Sequence, residues 1–139
     1  MDPLHLAHLI FICLWSGVAL AEFVIELSAK SDEEIRYAAI YHRRIDLIIE
    51  IPLLICILAT GALLVCSAWP LTPLHYVKIG AALLAMGANF VCIPLVFLRH
   101  RALDDATRCR ALHGHILKTG IGIPFFAVAA YLGFAYFTR

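Results

Sequence analysis

The sequence predicts an all-α integral membrane protein: one antiparallel bundle of four transmembrane helices over residues 1–139. Three observations carry this expectation: an oily composition, four long apolar runs, and short polar breaks between them. Of the 139 residues, 63% are hydrophobic and 15% charged, with a mean hydropathy of +0.89. A soluble domain of this length keeps too much surface in water to hide that much apolar area. The hydrocarbon of a bilayer solvates it instead. A formal net charge of +1 gives no basic field for nucleic acid.

The first run covers about residues 4–27. It follows MDPLHLAHL, which lacks the basic n-region of a cleaved signal peptide, so this run is expected to stay in the mature protein. SDEE at 31–34 makes the first break, with Ser31 placed to cap a helix that leads into the second run, 44–69. The second break is WPLTP at 69–73, because two prolines cannot continue a helix. The third run, 74–98, ends at RHRALDDATRCR (99–110), and the fourth covers 111–137. Each exceeds the ~20 residues that a helix needs to cross ~30 Å of hydrocarbon. Connections this short make successive helices antiparallel neighbours.

Basic residues predict the orientation. Lys30, Arg36, Arg43 and Arg44 flank the first break, and Arg99, Arg101, Arg108, Arg110 and Lys118 flank the third. The opposite side has only Lys78 and Arg139. The positive-inside rule then puts both basic ends in the cytoplasm and both termini outside, in a membrane of the bacterial inner (cytoplasmic) type. The five cysteines form no CxxC pair and read as small hydrophobes.

The seven histidines fall at the ends of the runs and never at mid-membrane. His5, His8 and His75 lie at the outer end; His42, His100, His113 and His115 lie at the inner end. At 100° per residue, His8, Trp15, Glu22 and Glu26 share one face of helix 1 within about 40°. His75, Lys78, Asn89 and His100 share a face of helix 3 within about 60°. Polar side chains in a membrane turn to the bundle interior, because lipid offers them no partner.

In an up-down bundle helices 1 and 3 are diagonal, as are helices 2 and 4. His8 then faces His75 at the outer end, and His42 faces a histidine of helix 4 at the inner end. Opposed imidazoles on diagonal helices suit a bis-histidine haem b, so one or two haems are expected. Arg43 and Arg44 at the inner site, and Lys78 at the outer, are placed for haem propionates. His113 and His115 point about 200° apart, so only one looks inward. His115 shares its face with Gly122, Phe126 and Gly133, which favours it as the inner ligand; His113 and His100 are the alternates.

Glu22, Glu26, Asp46 and Glu50 fall at the depth of His42. An acidic residue at a helix centre costs about 2.5–3.5 kcal/mol to insert, so each wants a partner or a purpose. One reading is a buried network with Arg43, Arg44 or Lys118, or simple protonation of the carboxyls in a dry site. Another makes Glu22, Asp46 and Glu50 a proton relay beside a redox centre. A third is a directly bound transition-metal ion (iron, copper or zinc) in a binding or transport protein. His42 and Asp46 are four residues apart on one helix face, with Glu22, Glu26 and His100 nearby. The ExxH pair of carboxylate-bridged bundles is absent.

Several motifs lie at matching places in a known group. His8 is followed seven residues later by Trp15, Arg43-Arg44 by Pro52 and then Thr60-Gly61, and helix 3 opens with LHYVK at 74–78. In this pattern the chain resembles small four-helix membrane proteins of the HemJ-type protoporphyrinogen oxidase and CopD-like group. The resemblance implies a haem-b-associated oxidoreductase with His8 and His75 as the matched positions. In HemJ-type enzymes it implies six-electron oxidation of protoporphyrinogen IX, with electrons passed to quinone. The chain departs from the group at Asn89, in the longer spacing from His75 to Lys78, and in ALHGH at 111–115. The function expected from the sequence is thus membrane electron transfer or redox chemistry, with lipid around the protein and a quinone or redox protein as partner.

Overall fold

The computed structural model describes residues 2–136, and every regular element among them is helical. α1 runs Pro3–Ser28, α2 Asp32–Ile45, α3 Ile51–Ser67, α4 Pro73–Arg101, α5 Ala106–Thr119 and α6 Gly122–Tyr136. A π turn, Asp46–Glu50, joins α2 to α3 without a break. The result is four helical rods, Pro3–Ser28, Asp32–Ser67, Pro73–Arg101 and Ala106–Tyr136, each long and apolar enough to cross a membrane. Residue 137 of the predicted fourth run and Arg139 lie outside the described residues.

Local chemistry sets the ends of these elements. Pro3 and Pro73 open α1 and α4, where a missing N–H leaves nothing unpaired. Ser31 caps α2 as expected: its hydroxyl accepts from the Glu34 amide, and the Glu34 carboxylate accepts from the Ser31 amide. Asp105 caps α5 by accepting from the Arg108 amide at 3.0 Å.

The second rod has 36 residues, about 54 Å at 1.5 Å each, so it outruns a bilayer's hydrocarbon. Its α2 part is the polar part, DEEIRYAAIYHRRI. The π turn ends two residues before Pro52. A proline ring presses on the carbonyl four residues back, here that of Ile48, and the wider turn relieves that contact. The turn also corrects the rod's phase. In an unbroken α-helix His42 and Leu54 would face directions about 120° apart. The extra residue in an i→i+5 turn takes back about 100°, and both are buried on the same side.

α1 packs along α3, and α4 along α6. The two pairs are joined mainly at the basic end, where α2 meets α4 and α5, and α1 meets α5. Two apolar clusters form the core. Trp15, Leu54, Ile57 and Met86, with Phe11, Ile93 and Phe126 against them, fill the middle. Ala29, Ile35, Ala38 and Cys109, with Leu103, fill the basic end. Between the clusters lies a polar layer. Outside, Leu14, Leu20, Ile48, Leu63 and Leu83 are exposed. A polar interior within an apolar exterior suits a bundle solvated by lipid.

Candidate functional site

The polar layer is built from one face of each rod. α1 supplies Glu22 and Glu26, α2 and the π turn supply His42, Asp46 and Glu50, α4 supplies Asn89 and Arg99, and α5 supplies His113. All but the half-buried Asn89 are buried, with Asp46 and Arg99 at 0% exposure. Trp15, Glu22 and Glu26 are the buried residues of α1, as the helix-1 stripe required.

Glu26 is the hub. The Arg99 guanidinium donates to both its oxygens, at 2.6 Å and 2.5 Å, in the forked geometry that suits a carboxylate. His42 Nδ1 lies 2.5 Å from Glu26 Oε1, and His113 Nδ1 lies 2.8 Å from Oε2. An ionised Glu26 only accepts, so His42 carries its proton on Nδ1 and turns the lone pair of Nε2 elsewhere. Nε2 faces Glu22 Oε2 at 3.8 Å and Asp46 Oδ1 at 3.7 Å, too far for a hydrogen bond to either.

Glu50 completes the group. Its Oε1 accepts from Trp15 Nε1 at 2.9 Å and from Asn89 Nδ2 at 2.7 Å. Glu22, His42, Asp46 and Glu50 each offer one ligand atom, and these atoms all lie within 4.8 Å of one another. Glu22 Oε1 and both oxygens of Asp46 are buried and met by no N–H donor. Glu22, His42 and Glu50 line a cavity of about 400 Å³ whose wall includes Trp15, Asn89 and Phe126.

A second cavity, of about 450 Å³, opens between the two helix pairs at the other end. His8, His75 and Lys78 line it, among Met86, Phe126 and other apolar side chains. His8 Nδ1 lies 2.7 Å from Thr60 Oγ1, whose own hydrogen goes to the Cys56 carbonyl. Nδ1–H therefore donates to Thr60 and Nε2 keeps its lone pair. Gly61 leaves room for the ring, since a Cβ there would come within 3.2 Å of His8 Cε1. His75 Nδ1 lies 2.7 Å from Thr72 Oγ1 and 3.2 Å from the Thr72 amide, within the box that caps α4. Trp15, Ala85 and Phe126 line both cavities, and Trp15 meets Phe126 edge-on at 5.4 Å. His8 and Glu22 are fourteen residues apart on α1, about 21 Å.

Three expectations are corrected. His113, not His115, looks inward: His113 is buried and His115 exposed. The phase reading assumed one helix over 111–137, but α5 ends at Thr119 and α6 begins at Gly122. That break turns the buried face by about half a turn, so Gly122 and Gly133 are buried on α6 while His115 is not on α5.

The inner end does not fit a haem, because His42 Nε2 looks into three carboxylates rather than across a macrocycle-sized gap. The buried cation is Arg99, not Arg43, Arg44 or Lys118. Arg43 lies over the Phe97 ring, 5.4 Å from its centroid, and Arg44 and Lys118 are exposed. His100 is half-buried outside the cluster, and His5 sits 3.5 Å from the exposed Asp2. The signal that reveals Arg99 is its phase: it lies within about 60° of Ala81, Ala85 and Val96. These small residues mark the packed face of α4.

No family model, no curated protein and no solved structure matches the chain. Its fold and site define a helical bundle with four membrane-length rods around a buried carboxylate–imidazole–guanidinium centre.

Proposed function

We propose that the chain is an integral protein of a bacterial-type inner membrane that holds one haem b in the outer cavity and acts in membrane redox chemistry. His8 and His75 are the axial ligands in this reading. The observation that carries it is that both imidazoles line one cavity and each has its Nδ1 engaged by a threonine. An axial histidine needs this arrangement: a partner for one ring nitrogen fixes the ring and leaves Nε2 for iron. His8 already has that tautomer. In the cap of α4 His75 Nδ1 accepts from the Thr72 amide, so His75 takes up that tautomer only when its ring proton moves to Nδ1 and donates to Thr72 Oγ1 in place of the amide bond.

The cavity volume lies within the ~300–1,000 Å³ of small-molecule and cofactor sites. Lys78 on its wall offers a cation for a propionate. Haem there would supply one-electron transfer, with a quinone or a redox protein as acceptor. The basic residues support an orientation with α2 and α5 at the cytoplasmic face and both termini outside.

A visible spectrum of detergent-purified protein from haem-replete cells tests this. A Soret band is expected, with α and β peaks on dithionite reduction, lost in His8→Ala and His75→Ala and kept in His5→Ala. Absence of the band from folded wild-type protein refutes the proposal.

A further inference from the structure

The four-residue cluster beside the inner cavity, which Glu22, His42 and Glu50 line, has no role in the haem reading. We infer that Glu22, His42, Asp46 and Glu50 bind a single divalent first-row transition-metal ion. The site lies about 21 Å from His8 and does not depend on the haem.

Convergence is the first ground. One imidazole nitrogen and three carboxylate oxygens, from α1, α2 and the π turn, lie within 4.8 Å of one another. Carboxylates this close repel unless protons or a cation sit among them. Both oxygens of the fully buried Asp46, and Oε1 of Glu22, are met by no N–H donor, and the one side chain that can share a hydrogen with Asp46 is the carboxyl of Glu50. A buried carboxylate without such a donor is expensive, and a cation is the partner that meets several such oxygens at once.

The surroundings are the second, independent ground. A metal-binding histidine characteristically donates its other ring N–H to a carboxylate, which fixes ring and tautomer. His42 does so: Nδ1 is held by Glu26, and Arg99 holds Glu26 in turn. The free lone pair on Nε2 points at Glu22 and Asp46. Trp15 and Asn89 donate to Oε1 of Glu50, which fixes the carboxylate and leaves Oε2 for an ion. The π turn places two of the four ligands, and such turns are frequent at functional sites.

The donor set narrows the ion. Three carboxylates and one imidazole, without thiolate or thioether, suit Mn²⁺, Fe²⁺ or Zn²⁺ rather than Cu⁺. The imidazole disfavours Mg²⁺ and Ca²⁺, which take oxygen ligands. Four protein ligands beside a cavity leave room for a water or substrate atom on the ion.

The experiment is calorimetric titration of chelator-stripped, detergent-purified full-length protein with Zn²⁺ and, separately, Mn²⁺. One ion per chain is expected, with affinity falling as pH drops because protons compete for the ligands. Asp46→Asn and Glu22→Gln should each weaken binding by about 100-fold or more, and Glu26→Gln by about 10–100-fold, the range for a partner behind a ligand. Mg²⁺ should not compete.

Asp46→Asn removes a buried carboxylate that no N–H group holds and keeps a side chain able to donate to Glu50, so its metal-free form should melt no lower than wild type. Loss of binding with an unchanged melting temperature then reports the site rather than misfolding. His8→Ala should bind the ion unchanged, which separates this site from the haem. No saturable binding by folded wild-type protein, or binding that survives Asp46→Asn and Glu22→Gln together, overturns the inference. Stoichiometry lost with the half-buried His5 and the exposed His115 instead would mean a peripheral site, and would overturn it equally.

Discussion

Replacing Arg99 with methionine removes the cation from the most buried ion pair in the bundle. Arg99 has no exposed surface and donates to both oxygens of Glu26. Its loss leaves that carboxylate with only the two histidines, and breaking one side of a buried pair costs about 3–5 kcal/mol. Glu26→Gln strands the guanidinium instead and should cost about the same, 3–5 kcal/mol. The double variant buries neither charge. What it still lacks are the contacts of His42 and His113 to Glu26, about 1–3 kcal/mol for each partner left unsatisfied.

The double variant should therefore fall short of the summed single losses by about 3 kcal/mol or more, at the upper end of the coupling of a contacting pair. Reversible unfolding in mixed micelles of a mild detergent and dodecyl sulfate, followed by far-ultraviolet circular dichroism, measures all four corners of the cycle. A loss below about 1 kcal/mol for Arg99→Met, or additive single losses, would refute the role of Glu26 as a charged hub.

Two further expectations rest on close approach and on a ligand's partner. At Gly122 an added Cβ would lie 2.8 Å from Ala88 Cβ and 3.2 Å from the Ala85 carbonyl. Gly122→Ala should thus push α6 off α4 and cost about 1–3 kcal/mol in thermal unfolding. Gly80→Ala, which meets nothing within 4 Å, should be neutral or gain up to about 1 kcal/mol. Thr60→Val removes the acceptor of the His8 Nδ1–H bond. In haem-loaded protein it should make the imidazole a poorer electron donor and raise the reduction potential, read by a spectroelectrochemical titration. An unchanged potential would mean that His8 is not an axial ligand.

What the sequence makes legible is whatever one helix decides alone. The four apolar runs, the cap at Ser31, the break at WPLTP and the inward stripe of Trp15, Glu22 and Glu26 follow from hydropathy, turn chemistry and a 100° step. So does the pairing of His42 with Asp46 on one face. Matters that need two helices at once were not legible. Phase alone puts Arg99 on the packed face of α4, but its partner is not legible until α1 brings Glu26 against it.

Phase errors explain the rest. The reading of α4 followed its polar residues, His75, Lys78 and Asn89, whereas close packing follows the alanines about 60° away. A continuous reading of the last run carries the glycine face of α6 back across a break at 120–121 that hydropathy hides, although Gly120, Gly122 and Pro124 mark it. His115 took the inward place of His113 for that reason alone.

The π turn has a consequence for how this chain tolerates change in length. Leu47, Ile48 and Ile49 on its outer side are exposed and apolar, and by side-chain chemistry any one is dispensable. Yet removing a single residue there would let the helix close into regular i→i+4 bonds and turn α2 about 100° relative to α3. His42 and Asp46 would turn together away from Glu50, and Glu26 would lose one of its two imidazoles. The tidier helix would be the emptier protein. The cluster and the irregularity are one trait, gained or lost with one codon, and a design procedure that rewards ideal helices would delete both without touching a ligand.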